Sequence, residues 1–538
     1  MKRQFSILAI GTTSLIIATL FVVRADNLAP AAADNIAARV DKHIADRWVK
    51  ENVTPAVACD DATYLRRVYL DVTGRIPPYA EVEDFLADPA PDKRARVVDR
   101  LLDGPTYVAH FSNVWRDVML PEANADLQVR FLIPAFEVWL RRRLIENKPY
   151  DALVREILTT PLEVRGDAGP AMMQADGSTP ITFYQAKQIK PENLAAATAR
   201  MFLGVRIECA QCHDHPFDSW KQENFWSYAG FFAGIEMQGA NPDEGIVGTI
   251  KELLDRRELA IPGKDKVVPA TFLDGVKPTW KPQVGPRVTL ADWVTSSGNP
   301  WFAKSVVNRM WGHFFGTGIV DPIDDFGADN PPSHPALLDE LAREFVAHDY
   351  DLKFLIRTIT ATRAYQLSSE QSDESQANPR LFARMSVKGL TPAQLFDSVA
   401  QATGYYERSQ ERNQAVMENN SPRSEFLESF ADRSETGTTD QQTTILQALA
   451  MMNGQFIADA TGLERSTTLS AIADFPLLST SDRIQALYLS AVSRPPRPDE
   501  LGRLTKYVDA GGPKQDPKQA LADVFWALLN SSEFLFNH

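Results

Sequence analysis

The sequence predicts a mainly α-helical protein, in which two helical domains are joined by a linker that contains a short β-hairpin. The main evidence is the spacing of apolar residues. Ile36, Val40, Ile44 and Trp48 fall four positions apart, and similar stripes recur through most of the 538 residues. Since a stripe of this period lines one face of an α-helix, helices account for most of the predicted structure.

The linker is predicted from a change in composition. Residues 239–286 are rich in Gly and Pro, and short apolar runs such as Val267-Val268 replace the helical period. The N-terminal helical domain is therefore placed at 35–238 and the C-terminal helical domain at 287–538.

Capping residues, glycines and prolines set the predicted helix boundaries. Asp60 or Asp61 caps a helix that ends at Gly74, and Pro191 opens another helix. A long polar loop or insertion is expected over 405–439. The other expected helices cover 35–48, 81–86, 94–102, 108–120, 129–147, 150–158, 221–235, 301–315, 335–348, 352–362, 392–404, 441–458, 482–492, 499–508 and 519–529.

Residues 1–25 have the pattern of a signal peptide. Two basic residues precede an uncharged run over 5–23, and Ala25 supplies a small residue for cleavage. The mature chain is then expected to begin near Asp26, in the periplasm or at the cell surface. An uncleaved N-terminal anchor is the alternative, and no later stretch has the ~18 apolar residues of a further membrane span.

The composition argues against one class of partner. The formal net charge is −14, from 70 acidic and 56 basic residues. Nucleic acids attract clustered Lys and Arg, and the sequence shows no such cluster. Nucleic-acid binding is therefore not expected.

Cys209, Cys212 and His213 form a Cys-x-x-Cys-His motif. In an exported chain this is the attachment pattern of a c-type haem, because two thiols one turn apart can reach two vinyl groups while the next imidazole ligates the iron. Cys209 and Cys212 are then the cofactor-binding residues, and His213 is the metal ligand. The distal ligand is expected from a set that comprises Met172, Met173, Met237, His313 and His334.

Two other interpretations of the motif stay open. Cys209 and Cys212, with one or both of His213 and His215, have the ligand types of a zinc or copper site. Alternatively, the two cysteines form a disulfide that only staples the chain, as an oxidising compartment permits, and no cofactor is bound. The third cysteine, Cys59, is expected to be a small buried residue.

A second group of polar residues lies in the C-terminal half. His313, Asp325 and His334 are the catalytic candidates, because a carboxylate beside two histidines can serve as general acid and base or hold a hydrolytic metal. The same residues can equally form a buried hydrogen-bond network. The sequence contains no Ser-His-Asp order, phosphate loop or His-Glu-x-x-His helix that would decide for catalysis.

The two ends of the chain resemble each other. Tyr69-Leu70, Arg75, Pro77 and Glu81 have the same spacing as residues near the C-terminus, which are Tyr488-Leu489, Arg494, Pro496 and Glu500. Both sets predict a helix, a turn with proline and a second helix. A duplicated helical unit is therefore expected, with the two copies packed side by side.

Several motifs together resemble a known pair of exported planctomycete domains of unknown function. The first domain is associated with cytochrome c modules, and the second is its C-terminal partner. The resemblance implies no firmly assigned activity; many relatives carry a separate cytochrome c domain, whereas this sequence has one Cys-x-x-Cys-His motif. The motifs that carry it are 202–217, 308–316, 324–326, 330–335 and 528–534, with Asn537-His538 at the end.

The leading functional hypothesis is redox or electron-transfer work outside the cytoplasm, with an exported redox protein or cytochrome as partner. One alternative is a metal-dependent hydrolase that acts on extracytoplasmic polymer through His313, Asp325 and His334. Another is a surface-assembly or interaction protein, in which the cysteine pair is only structural.

Overall fold

The computed structural model describes residues 28–124, 126–162, 178–238, 249–405, 421–429, 451–452 and 454–538. The predicted signal peptide, Met172, Met173 and most of the predicted 405–439 loop lie outside these residues. The side chain of Met237 is not described either.

The N-terminal half of the described chain is helical. The second helix shows why its boundaries fall where they do: the carboxylate of Asp60 accepts the Thr63 N–H at 2.8 Å, and Gly74 ends the helix in the left-handed conformation with φ 71°. The helices are α1 Leu28–Glu51, α2 Asp61–Thr73, α3 Tyr79–Ala87, α4 Lys93–Leu102, α5 Pro105–Met119, α6 Leu127–Ile145, α7 Tyr150–Thr159, α8 Thr182–Ala186, α9 Pro191–Thr198 and α10 Gln222–Ala229.

The C-terminal half is helical as well. Several of its helices begin with proline in the first turn, where the missing N–H costs no hydrogen bond. They are α11 Pro286–Val294, α12 Phe302–Phe315, α13 Pro335–Ala347, α14 Leu352–Ala361, α15 Pro392–Thr403, α16 Pro422–Ser429, α17 Gln455–Ala460, α18 Thr467–Asp474, α19 Thr480–Val492, α20 Pro498–Asp509, α21 Pro517–Leu529 and α22 Ser532–Leu535.

The strands form three small antiparallel pairs. β1 (Ile235–Gln238) pairs with β2 (Thr249–Glu252), and β3 (Glu258–Ala260) pairs with β4 (Val267–Pro269). In the third pair, β5 (Lys388–Gly389) binds β6 (Phe536–Asn537), which brings the end of the chain back to its middle. The prediction of a mainly α-helical protein with short hairpins is therefore confirmed.

Several details of the helix prediction are wrong. The helix expected over 221–235 ends at Ala229, because Gly230–Phe232 forms a 3-10 turn and Ile235 already pairs in β1. The aromatic period of this stretch continues through the turn, so it did not mark the end of the helix.

Five helices were not predicted, since their apolar stripes are short; they are α8, α11, α16, α18 and α22. One of them, α16, lies within the loop expected over 405–439, so the loop prediction is wrong for that segment.

Buried apolar residues form two cores. The larger one contains residues from Ala33 to Met385 together with Leu489, and it includes Ile250 and Val268 of the predicted linker. The smaller one is built mainly from residues between Leu390 and Phe534. The linker residues thus pack into the same core as the helices on either side of them, while the domain boundaries themselves stay a prediction.

No helix in the described parts of the chain combines the length and the apolarity needed to span a lipid bilayer.

Candidate functional site

The Cys-x-x-Cys-His motif follows an unusual turn. After α9 the chain forms a π-helical turn, Ala199–Leu203, which ends at Gly204 with φ 68°. The Gly204 carbonyl accepts the N–H of Phe326 at 2.8 Å, and a Cβ atom at position 204 would lie 2.6 Å from the Phe326 ring. Only glycine fits here, so the C-terminal half of the chain lies directly against the segment that leads into the motif.

The motif itself begins in a short 3-10 helix, Glu208–Gln211. Cys209 and Cys212 are both exposed and both free, so their sulfur atoms are not joined to each other. Between them, Ala210 is fully buried and anchors the turn in the core. The turn therefore presents two thiols at the surface on a well-packed base.

Side chains of α10 hold the C-terminal end of this turn. The Gln222 side-chain amide donates to the carbonyls of Gln211 and Cys212, both at 3.1 Å, and the Trp226 indole N–H donates to Gln211 O at 3.0 Å. In return, the Asp214 carboxylate accepts the N–H of Gln222 at 2.9 Å, at the first turn of α10. These bonds satisfy carbonyls that a short helix leaves without partners.

His213 is exposed, and one of its ring nitrogens is already engaged. Nδ1 lies 2.8 Å from the backbone carbonyl of Asp214; since a carbonyl only accepts, Nδ1 carries the proton in this contact. A neutral ring then has its lone pair on Nε2, the tautomer that a metal ligand needs. His215 differs, because its Nδ1 accepts the N–H of Phe217 at 3.3 Å.

These residues fit the requirements of covalently held haem. Both thiols are free and exposed, the adjacent imidazole has the ligating tautomer, and the neighbouring Phe217 offers apolar surface at 79% exposure. Within the described residues, by contrast, no three His, Cys, Asp or Glu side chains converge as metal ligands.

The C-terminal half contributes a carboxylate, Asp324, which pairs with two arginines beside the motif; this group of three residues is called the acidic clamp. The Asp324 carboxylate accepts from Arg200 Nε at 2.5 Å and from Arg206 Nη2 at 2.6 Å. Burial raises the pKa of Asp324, but the hydrogen bonds and charges of both arginines outweigh burial and hold that pKa below its usual value. Glu208, next to Cys209, shows the opposite balance, since burial raises its pKa above the ordinary value.

His313 is not at this site. Its Nε2 donates to the backbone carbonyl of Asp71 at 2.9 Å, and its ring centroid lies 5.7 Å from that of His110. Lys388 Nζ donates to the Asp71 carboxylate at 2.6 Å and to the His313 carbonyl at 2.9 Å. Burial and the nearby Lys388 charge lower the pKa of His313. This histidine belongs to a buried polar network between α2, α5, α12 and β5.

His334 and Asp325 lie in surroundings that differ from those of His313 and from each other. His334 is 4% exposed, its Nδ1 lies 3.1 Å from the Ser333 hydroxyl, and burial lowers its pKa to about 3. Asp325 is half-buried on the loop beside the motif, where its carboxylate flanks Gly327 together with that of Asp218. The three catalytic candidates share no neighbour, so the structure does not bring them together.

Several residues around the motif were not singled out as part of this site from the sequence. Gln222, Trp226 and Arg200 carry no motif signal, because their role depends on which backbone groups the packing brings to them. Cys59, in contrast, is buried as expected, with Arg67 Nη1 3.7 Å from its sulfur.

The comparisons with known proteins concern the two halves separately. Residues 39–237 match the family model PSCyt2, described as a protein of unknown function (DUF1549). Residues 286–508 match the model PSD1, described as a protein of unknown function (DUF1553). No curated protein and no solved structure matches the chain. The two halves of the chain therefore match, in this order, the DUF1549 and DUF1553 domains of unknown function.

Proposed function

We propose that this protein is an exported electron-transfer protein that holds one haem covalently on Cys209 and Cys212, with His213 as the proximal ligand. The observation that carries the proposal is the state of the motif: two free, exposed thiols stand beside an imidazole whose Nδ1 is committed to a backbone carbonyl. The name PSCyt2 of the matching N-terminal family is in keeping with a cytochrome-like role.

The two cysteines would form the covalent attachment. Each thiol would add its S–H across one vinyl group, with a C–S bond in place of the second bond of the C=C pair and the hydrogen on the neighbouring carbon. This addition would need no oxidant, because all atoms of the thiol and the vinyl group stay in the product. Ala210 and the bonds from Gln222 and Trp226 keep the two sulfurs on one turn during this addition.

His213 would bind iron through Nε2. Its Nδ1–H bond to the Asp214 carbonyl sets both the tautomer and the ring orientation, and such a contact raises the basicity of a ligating imidazole. Haem, when bound, supplies a one-electron redox centre at the protein surface. A charge of −14 over the whole chain suits an exported redox partner with a basic surface.

Expression in a periplasm that has a haem-attachment system tests the proposal. The wild-type chain is expected to retain haem on a denaturing gel, whereas Cys209→Ala with Cys212→Ala is expected to lose it. Cys59→Ala is the matched control, because this third cysteine is buried away from the motif. It should attach as much haem as the wild type.

Two results would contradict the proposal and point to the alternatives. A colourless protein in which a thiol titration finds Cys209 and Cys212 oxidised to each other favours the structural cysteine pair. A colourless protein with one bound zinc or copper, lost in His213→Ala, favours the bare metal site. Cleavage of the first 25 or so residues in the same expression experiment tests the proposed export.

A further inference from the structure

Arg309, on α12, has a guanidinium whose hydrogen bonds the described residues do not complete. Its Nε atom is enclosed and has no hydrogen-bond acceptor, and its Nη2 reaches only the Met201 carbonyl at 3.5 Å, the limit of a hydrogen bond. No carboxylate of the described chain forms an ion pair with it, although Asp324 is close enough to act on it electrostatically. An enclosed guanidinium nitrogen without an acceptor is costly, because its N–H has lost water and gained no partner.

A second unpartnered polar atom lies one helical turn earlier. Ser305 is 1% exposed, and its hydroxyl has no hydrogen-bond partner. Ser305 and Arg309 are four residues apart, so they share one face of α12. That face lies against the π-helical turn, since the Arg309 contact is Met201 and a Cβ at Gly204 would lie 3.1 Å from the Ser305 hydroxyl.

The nearest carboxylate is not free to accept from Arg309. Both oxygens of Asp324 already accept from Arg200 and Arg206. Asp324 therefore attracts Arg309 only from a distance, while Arg200 repels it. An anionic acceptor at Arg309 would supply the hydrogen bonds that its guanidinium lacks.

We propose that Arg309, with Ser305, forms a binding site for one carboxylate group at the junction between the two halves of the chain. A guanidinium edge donates two parallel N–H bonds to the two oxygens of a carboxylate, and the serine hydroxyl can add a third bond. The site lies beside the segment that runs into Cys209, so the carboxylate has two sources. It is a propionate of the proposed haem, or it belongs to a small free acid; only the first source rests on the proposed function.

The experiment uses acetate as the probe and calorimetry as the measurement. The first protein is the full chain with Cys209→Ser and Cys212→Ser, which cannot hold haem covalently and therefore tests the site by itself. One acetate per chain is expected to bind. Arg309→Gln in this background should weaken binding about tenfold or more, the usual loss for a charge-assisted bond. Arg343→Gln is the matched control, since Arg343 is an exposed arginine on α13.

Arg309→Lys is a second variant, which tests the site if Arg309→Gln does not fold. Lysine retains the charge but not the planar fork, so acetate should bind less tightly than in the parent chain and more tightly than in the glutamine variant. Acetate that fails to bind, or that binds equally well to the parent chain and to the Arg309 variants, overturns the site.

The haem-loaded chain separates the two sources. If a propionate occupies the site, the loaded protein no longer binds acetate; if the ligand is a free acid, loaded and unloaded proteins bind it alike. If the proposed haem attachment is wrong but the carboxylate site is right, the wild-type chain holds no haem, whereas the chain without the two thiols still binds acetate.

Discussion

Leu70 and Leu489 occupy equivalent positions in two related helices, and each is buried in the core at the other end of the chain. Leu70 is 0% exposed on α2 and packs in the smaller core with residues such as Leu487 and Phe534. Leu489 is 4% exposed on α19 and packs in the larger core. The two similar stretches thus each place one leucine in the other core.

The two helices agree in detail. α2 and α19 both contain 13 residues, and each is followed by a residue in the left-handed conformation, Gly74 with φ 71° and Ser493 with φ 62°. Arg66 ties the copies together, because its guanidinium donates to the carbonyls of Ala491 and Phe534 at 3.0 and 2.8 Å. The predicted side-by-side packing of the copies follows from these contacts.

Truncation of either leucine should weaken both ends of the chain at once. Leu70→Ala and Leu489→Ala each leave a cavity in a closed core, so each is expected to lower the free energy of unfolding by about 2–5 kcal/mol. Urea unfolding followed by circular dichroism measures the loss. Leu477→Ala is the control, because this leucine is 83% exposed and its removal should cost little. If each variant instead lowers the urea midpoint of one core and leaves that of the other core unchanged, Leu70 and Leu489 do not couple the stabilities of the two cores.

Removal of the Gln222 side chain should loosen the thiol-bearing turn. Gln222→Ala leaves the Cys212 carbonyl without its side-chain donor and the Gln211 carbonyl with only the Trp226 indole N–H, and such a loss costs about 1–3 kcal/mol of local stability. Hydrogen exchange is expected to rise over 208–216 while the rest of the chain is unchanged. Gln128→Ala, on the exposed side of α6, should leave exchange in this stretch as it is. If the amides of 208–216 exchange equally slowly in both variants, the burial of Ala210 is enough to hold the turn without Gln222.

The acidic clamp should respond to Asp324→Asn. The variant removes the charge that pairs with Arg200 and Arg206, and a loss of about 1–3 kcal/mol is expected at neutral pH. Because the folded-state pKa of Asp324 is held below its usual value of 3.8, its contribution is present above that pH and is lost as the pH falls further. Stability curves of the wild type and the variant should therefore converge in acid. Asp329→Asn, an exposed change on the same loop, is the control; curves that stay parallel at low pH would argue against the clamp.

Acid should destabilise the protein through His110, a half-buried histidine on α5. Its burial, together with the positive charges that His313 and Lys388 can carry, lowers the pKa of His110 to about 3. The unfolded chain binds a proton near pH 6.5 while the folded chain does not, so stability falls as the pH drops from there towards 3, by about 1.4 kcal/mol per pH unit for this group. His110→Gln should make the decline shallower. His348→Gln changes a histidine stacked on Phe354, and it should keep the wild-type slope; an unchanged slope in His110→Gln would exclude the effect.

The helices were predictable where two local signals coincide. α2 combines an apolar stripe with a capping Asp60 and a terminal Gly74, and its boundaries follow from them. α10 has a stripe without an end signal, so its length was overestimated. The Cys-x-x-Cys-His motif was recognisable because its chemistry lies in adjacent residues, whereas Gln222 and Trp226 act on it through contacts made only after folding.

By itself, the sequence determined the helical class, the hairpins, the adjacent thiols and imidazole, and the similarity of the two ends, because each depends on residues close together in the chain. The tertiary structure decided which polar residues meet. It placed His313 against the Asp71 carbonyl and buried His334 beside Ser333, and it brought Asp324 to Arg200 and Arg206 beside the motif. The physical reason is that hydrogen bonds and ion pairs require atoms within a few ångströms, and only packing sets those distances.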